Sequence, residues 1–257
     1  MPEPRTPGSA RASRLAGGVP ERRGVLRPFV LAPHSPPDAF PNPSLALDVP
    51  NGLLAAGGDL GPQRLLCAYR RGIFPWFSGR QPILWWSPDP RAVLWPEALR
   101  VSRSLRRTQR RATFTISIDT AFDRVVRECA APRPGREDTW ITPEMSAAYG
   151  RLHRVGYAHS VECWRGAELA GGLYGVAIGR VFFGESMFSR APDASKIALA
   201  HLCTLGFGLI DCQVPNAHLA RLGAVGMGRR RFLALLDELC ETPGPCAFGG
   251  RRAGSGS

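Results

Sequence analysis

The sequence predicts an α+β fold built around a central mixed sheet. Three observations predict it. Apolar residues recur at helical spacing in several segments, a block of strand-like runs with a hairpin turn follows the second long helix, and the composition is that of an ordinary globular chain. Of 257 residues, 44% are apolar and 21% charged, which excludes a disordered chain, a collagen-like repeat and a coiled coil. Pro, Gly or Arg interrupts every apolar run before the roughly 18 residues that a membrane span needs, so no membrane partner is expected.

In chain order, residues 1–35 are rich in Pro, Gly, Ala and Arg, lack periodicity and carry no apolar core of a secretory signal; a disordered arm is expected there. A short helix fits residues 63–71 and ends at Gly72. Asp119 or Thr120 is placed to cap a helix whose Phe122, Val125, Val126 and Cys129 fall at i, i+3, i+4 and i+7. Thr142 followed by Pro143 opens another, with Met145, Ala148, Tyr149 and Leu152 as its stripe. Strands are expected at 159–164, 169–178 and, after a Gly179-Arg180 turn, 181–183. A helix from about Asp193, the apolar run LIDCQV at 209–214 and a last helix bearing Phe232, Leu235, Leu236 and Leu239 complete the order. Residues 242–257, mostly Gly, Ser and Arg, are expected to be a flexible tail.

Charge and composition narrow the chemistry. Lys plus Arg is 33 against 21 acids, a net charge of +12, so a polyanion is the expected partner and nucleic acid the leading class. A P-loop needs Lys followed by Ser or Thr, whereas the lone lysine, Lys196, precedes Ile197. The motif G-x-S-x-G fails at Ser186, which argues against a serine nucleophile. Seven Cys without a C-x-x-C read as reduced core thiols of a cytosolic protein, and five His without ligand spacing predict no metal.

Three places carry candidate chemistry. In the run 209–214, Asp211 and Gln213 stand two apart and are expected on one strand face; a charge in so apolar a strand is either an ion-pair member or a working group. Glu185, within GESMFSR, offers a second carboxylate beside Gly184, or else a salt bridge to one of many arginines. Between 100 and 111, arginines stand at 100, 103, 106, 107, 110 and 111 with no acid among them, one face of a helix. Such a row suits a phosphate backbone better than a solvated loop. Ahead of that row, Trp76, Trp85, Trp86 and Trp95 supply stacking platforms or core; extended, Trp85 and Trp86 point opposite ways, so at most one meets a ligand.

The strings PNGLLAAGGDL, AYRRGIFPWF, ILWWSPDPRAVLWPE, TWIT, AHSVECW, GGLYGV, FGESMFSR, ASKIAL and LIDCQV run in order from about Phe40 to Leu239. In this they closely resemble the leucyl/phenylalanyl-tRNA–protein transferase family. The resemblance implies a small N-terminal domain, 36–92, before a catalytic domain, 93–241, similar to the GNAT acyltransferases. It implies a cytoplasmic, monomeric enzyme that takes Leu or Phe, and Met less readily, from aminoacyl-tRNA to acceptor proteins beginning with Arg or Lys, marking them for N-end-rule degradation. Catalytic residues would be Asp211, Gln213 and Glu185, with Asp211 taking a proton from the attacking amine through Gln213. Trp76, Trp140, Phe182 and Met187 would line the aminoacyl and adenosine pocket, with Tyr69 and Tyr149 nearby, and Arg106, Arg107, Arg110 and Arg111 would bind tRNA. The family often has Met where this chain has Leu173, a volume-conserving change. An aminoacyl ester is already activated, so no ATP, metal or other cofactor is expected. Two competitors are an acyl-CoA-dependent N-acetyltransferase, whose pyrophosphate loop the stretch Arg221-Leu222-Gly223-Ala224-Val225-Gly226 matches imperfectly, and a non-catalytic RNA-binding protein.

Overall fold

The computed structural model describes residues 27–79, 81–132 and 139–248. The chain opens with β1 (Phe29–Leu31) and β2 (Leu53–Gly57), passes through helix α1 (Pro62–Arg70), and closes a first sheet with β3 (Phe74–Pro75) and β4 (Leu84–Trp86). Its strand order is β1-β2-β4-β3, with β1 parallel to β2. This corrects the expected disorder through residue 35. Leu31 is buried and its carbonyl accepts from Gly58 N, so backbone pairing and an apolar anchor hold the segment. The remainder of the expected arm, 1–26, lies outside the described residues. Helix α1 starts at a Pro, where a missing N–H costs nothing, and stops at Gly72, whose φ of 67° suits Gly and few other residues.

The rest of the chain builds a seven-stranded sheet. Strand β5 (Arg91–Leu94) is followed by α2 (Arg103–Arg110), β6 (Thr115–Ile118), α3 (Phe122–Ala130) and α4 (Pro143–Arg154). Then come β7 (Ala158–Arg165), β8 (Glu168–Ile178), β9 (Val181–Ser189), α5 (Ala194–Leu202), β10 (Leu209–Gln213), α6 (Ala217–Arg221), β11 (Val225–Met227) and α7 (Arg229–Leu239). The strand order is β11-β5-β10-β9-β8-β7-β6. Strands β6 to β9 form an antiparallel meander, while β10 enters beside β9 in parallel after the α5 crossover. The expected α+β architecture with a central mixed sheet is therefore present.

Side-chain alternation sorts the two faces of this sheet. Val181 and Phe183 of β9 join one apolar cluster and Phe182 joins the other, as a period of two requires. The first cluster is shared with the amino-terminal sheet: Leu54, Tyr69 and Trp85 pack with Val93, Tyr149 and Phe232. The second lies against α5, with Leu94, Val161, Leu173 and Ala198. In the first cluster Trp85 is fully buried and Trp86 only partly, which fits opposite orientations.

Two local expectations need correction. The N-cap of α3 is Ala121, without a side-chain cap bond; Asp119 instead accepts from Ser160 N and contacts His159 Nδ1, and Thr120 bonds the Ile118 carbonyl. Buried Glu162 accepts from the Ala121 N–H. The tail is also ordered further than expected, since Phe248 is buried among Phe182, Phe207 and His159; residues 249–257 lie outside the described residues. The Thr142 cap of α4 forms as its residues predict, with Met145 N donating to Thr142 Oγ1 at 3.2 Å.

Candidate active site

Two neighbouring strands each lose register at the residue that matters. On β9, Ser186 faces Tyr174 and Gly184 faces Gly175, so Glu185 has no partner on β8 and forms a β-bulge. On β10, Asp211 faces Val93 and Gln213 faces Ala92, leaving Cys212 as the extra residue. The parallel pairing of β9 with β10 ends at the same level, at Asp211 and Phe183. Bulges re-aim side chains, and here two side by side open a gap into which Glu185 and Gln213 turn. Gly175 permits the first: a Cβ there would stand 2.2 Å from the Phe183 carbonyl oxygen. Gln213 has φ 60°, a left-handed conformation uncommon outside Gly, so the second bulge is held by its surroundings.

Asp211 and Gln213 consequently do not share a face in the simple way that alternation predicts. Asp211 turns away from solvent and is completely buried. Its two oxygens receive Arg91 Nε at 2.8 Å and Arg91 Nη2 at 2.6 Å, and the Gln213 backbone N–H donates to Oδ1 at 2.9 Å. Arg91, equally buried, donates its remaining arm to the Gly72 carbonyl and lies between the rings of Phe74 and Phe232, 4.6 and 4.8 Å away. The desolvation of both charges is offset by a bidentate geometry with the guanidinium satisfied on both arms. Arg91 is the site residue that sequence reading missed. Its signal was the one used for Asp211, a charge at the head of the apolar run RAVL.

Glu185 is the acid that faces the gap. The hydroxyls of Tyr69 and Tyr149 hydrogen-bond its two oxygens at 2.6 Å each, and Gln213 Nε2 donates to Oε1 at 2.8 Å. Burial pushes its carboxyl up to about 7, and the Asp211 charge acts in the same direction. Tyr69 and Tyr149 are themselves raised well above the ordinary phenol value, first by burial and next by Glu185. Tyr69 and Tyr149 stand beside the cavity and do not line it: α1 and α4 hold them behind Glu185, fully buried.

The gap opens into a cavity of about 380 Å³. Trp76, Trp140, Phe182 and Met187 all border it, together with Leu173, Leu199 and Leu202, so its walls are chiefly apolar. Trp76 stands 42% exposed at the edge, braced by Trp86, whose ring is 5.6 Å away and whose Nε1 donates to the Trp76 carbonyl. His218 of α6 also borders the cavity; burial, then Lys196 and Arg221, lower its pKa. Nothing in its sequence neighbourhood marked it.

The arginine row lies elsewhere on the surface. Arg103, Arg106, Arg107 and Arg110 occupy α2 at i, i+3, i+4 and i+7, exposed around the single buried anchor Leu105. Arg111 caps the helix, whereas Arg100 lies before the Ser102 N-cap and outside it. Among the described residues, none of these six arginines forms an ion pair.

The apolar cavity, with an acid and an amide where two parallel strands part, is the candidate active site of a transferase, the class that its family and relatives share. The leucyl/phenylalanyl-tRNA protein transferase family matches residues 93–237, and the N-terminal domain of that family matches residues 58–89. The leucyl/phenylalanyl-tRNA–protein transferase of Azoarcus sp. is 57% identical over 220 residues, covering 84% of this chain and 94% of its own. That of Aromatoleum aromaticum is 60% identical over 211 residues, covering 80% and 89%. Among solved structures, a GCN5-related N-acetyltransferase from Kribbella flavida overlays with a TM-score of 0.33 at 12% identity, covering 63% of this chain and 60% of that one. The chain belongs to the leucyl/phenylalanyl-tRNA–protein transferase family.

Proposed function

We propose that this enzyme moves Leu or Phe, and Met less readily, from aminoacyl-tRNA to the N-terminal Arg or Lys of an acceptor protein, in the cytoplasm and as a monomer, producing an N-end-rule degradation signal. The observation that carries the reading is the cavity. Its size and its Trp, Phe, Leu and Met lining suit a large apolar side chain, and Glu185 and Gln213 stand on its wall. Such a pocket rejects polar side chains but separates Leu, Phe and Met weakly, since one methylene is worth about 1–3 kcal/mol. Leu173 keeps that wall apolar.

The chemistry asks for an uncharged amine held against an ester carbonyl. We assign Gln213 to that positioning, with its Nε2 committed to Glu185 and its side-chain carbonyl oxygen, which accepts no hydrogen bond among the described residues, placed to accept from the amine. Asp211 acts through its neighbours: both of its oxygens are engaged by Arg91 and by the Gln213 backbone, so it fixes the bulge instead of taking the proton directly. Glu185 orients Gln213. The exposed arginines of α2 would meet tRNA phosphates, which fix position and not sequence.

The test is a single incubation with labelled Leu-tRNA, a peptide beginning with Arg, and no coenzyme A. Label moving to the peptide supports the reading. Transfer that needs an acyl-CoA, or tRNA binding with no transfer, rejects it.

A further inference from the structure

Glu185, Tyr69 and Tyr149 touch one another pairwise, and the triangle has a hydrogen count. Tyr69 Oη lies 2.6 Å from Glu185 Oε1, Tyr149 Oη lies 2.6 Å from Glu185 Oε2, and the two phenolic oxygens are 2.6 Å apart. Contacts of that length between oxygens are hydrogen bonds, and each needs one hydrogen. Two phenols supply two. With an ionised carboxylate, one of the three contacts would set lone pair against lone pair in a buried, low-dielectric place, where such a mismatch is costly.

We propose that Glu185 in the resting site is a carboxylic acid whose proton is the third hydrogen of a closed Glu185–Tyr149–Tyr69 ring, and that this neutral ring is what positions Gln213. The direction of the ring follows from Gln213. Its Nε2 donates to Oε1, which therefore keeps its lone pairs and accepts from Tyr69 as well. The proton then sits on Oε2 and points to Tyr149, and Tyr149 donates to Tyr69. Gln213, its amide nitrogen fixed by Oε1, turns its carbonyl oxygen outward. Tyr69 and Tyr149 are thus positioning residues, acting on the reaction through two further side chains.

The charged and titratable surroundings agree. Around Glu185 stand Tyr69 of α1, Tyr149 of α4, Tyr174 of β8, and Asp211 of β10 with its partner Arg91 of β5; neutral Gln213 adjoins them and His218 of α6 lies across the cavity. The Asp211 charge disfavours a second anion, and burial acts in the same sense. A neutral ring also leaves the cavity without an unpaired negative charge, which would hold an incoming amine as its unreactive ammonium form.

This inference deepens the transfer reading but can be tested apart from it, by infrared difference spectra of wild-type protein against Glu185→Gln. Below about pH 6 the wild type should show the carbonyl band of a protonated carboxylic acid that the variant lacks, lost as the pH rises. No such band at that pH overturns the ring. In Tyr69→Phe or Tyr149→Phe only one phenol remains, the surplus contact is gone, and the pH at which the band is lost should fall by about one unit. A rise, the result if the hydroxyls merely stabilise a carboxylate, overturns it as well. In single-turnover transfer, Glu185→Gln keeps an acceptor and a donor where the acid has them, with one N–H more, and should retain more activity than Glu185→Ala while losing the alkaline fall of wild type. A folded but inactive Glu185→Gln overturns the positioning role. Wild-type protein that transfers nothing refutes the transfer reading, and the infrared band still decides the ring.

Discussion

Arg91 and Asp211 show how a residue's surroundings assign its work. Both charges are wholly buried and complete each other, so removing one strands the other. Arg91→Ala should cost about 3–5 kcal/mol in denaturant unfolding. The double variant Arg91→Met with Asp211→Leu should recover most of that stability and none of the transfer, since the pair also fixes the Gln213 bulge. Recovery of activity together with stability would refute that role. Gln213→Ala, at a partly exposed position, should cut single-turnover transfer by on the order of 10²-fold and leave the melting temperature nearly unchanged. Glu185 links the site to stability. Its carboxyl titrates at about 7 when folded, well above the ordinary carboxylate value, so its favourable contribution is complete below the unfolded pKa and is lost as the pH rises through the folded one. Glu185→Gln should therefore gain on wild type between about pH 4.5 and 7, by roughly 1.4 kcal/mol per pH unit, and chemical denaturation across that window measures it.

At the scale of elements, the strands that form the site do so where their pairing fails. The two bulges cannot be read from alternation, because one extra residue inverts the facing of everything after it. Gly175 is the sequence's permit for one of them, and Gly175→Val should abolish soluble expression or transfer, since even a Cβ has no room. Helix α2 is the opposite case, legible from its spacing alone. Four arginines on one exposed face, anchored through Leu105, make a charged surface with little internal duty. Reversing Arg110 and Arg111 to Glu should raise KM for charged tRNA, leave kcat little changed, and flatten the salt dependence of tRNA binding. Unchanged affinity at low salt would remove this helix from the tRNA surface.

Across the whole molecule, the site belongs to neither sheet alone. Tyr69, Phe74 and Trp76 come from the amino-terminal part, Tyr149, Glu185 and Gln213 from the seven-stranded sheet, and Arg91 ties Gly72 to Asp211 across the junction. A chain begun at residue 93 would lose Arg91 and Tyr69 together. It should retain no transfer activity and unfold at a lower denaturant concentration than the intact chain, because the first apolar cluster would be left half covered.

The sequence by itself determined the elements and their class. Helical spacing around Phe122 and Met145, the Thr142-Pro143 start, the Gly179-Arg180 turn and the apolar run at 209–214 all act over a few residues, and local sterics and patterning suffice to set them. The motif strings likewise carried the family and pointed to Asp211, Gln213 and Glu185. What tertiary structure decided was the state of those groups. That Asp211 is sealed by Arg91, 120 residues away, that Glu185 rests on two tyrosines from separate helices, and that Phe248 seats the tail depend on contacts between distant segments. Burial and pairing set the charge and direction of a side chain, and neither exists until the chain has brought those segments together.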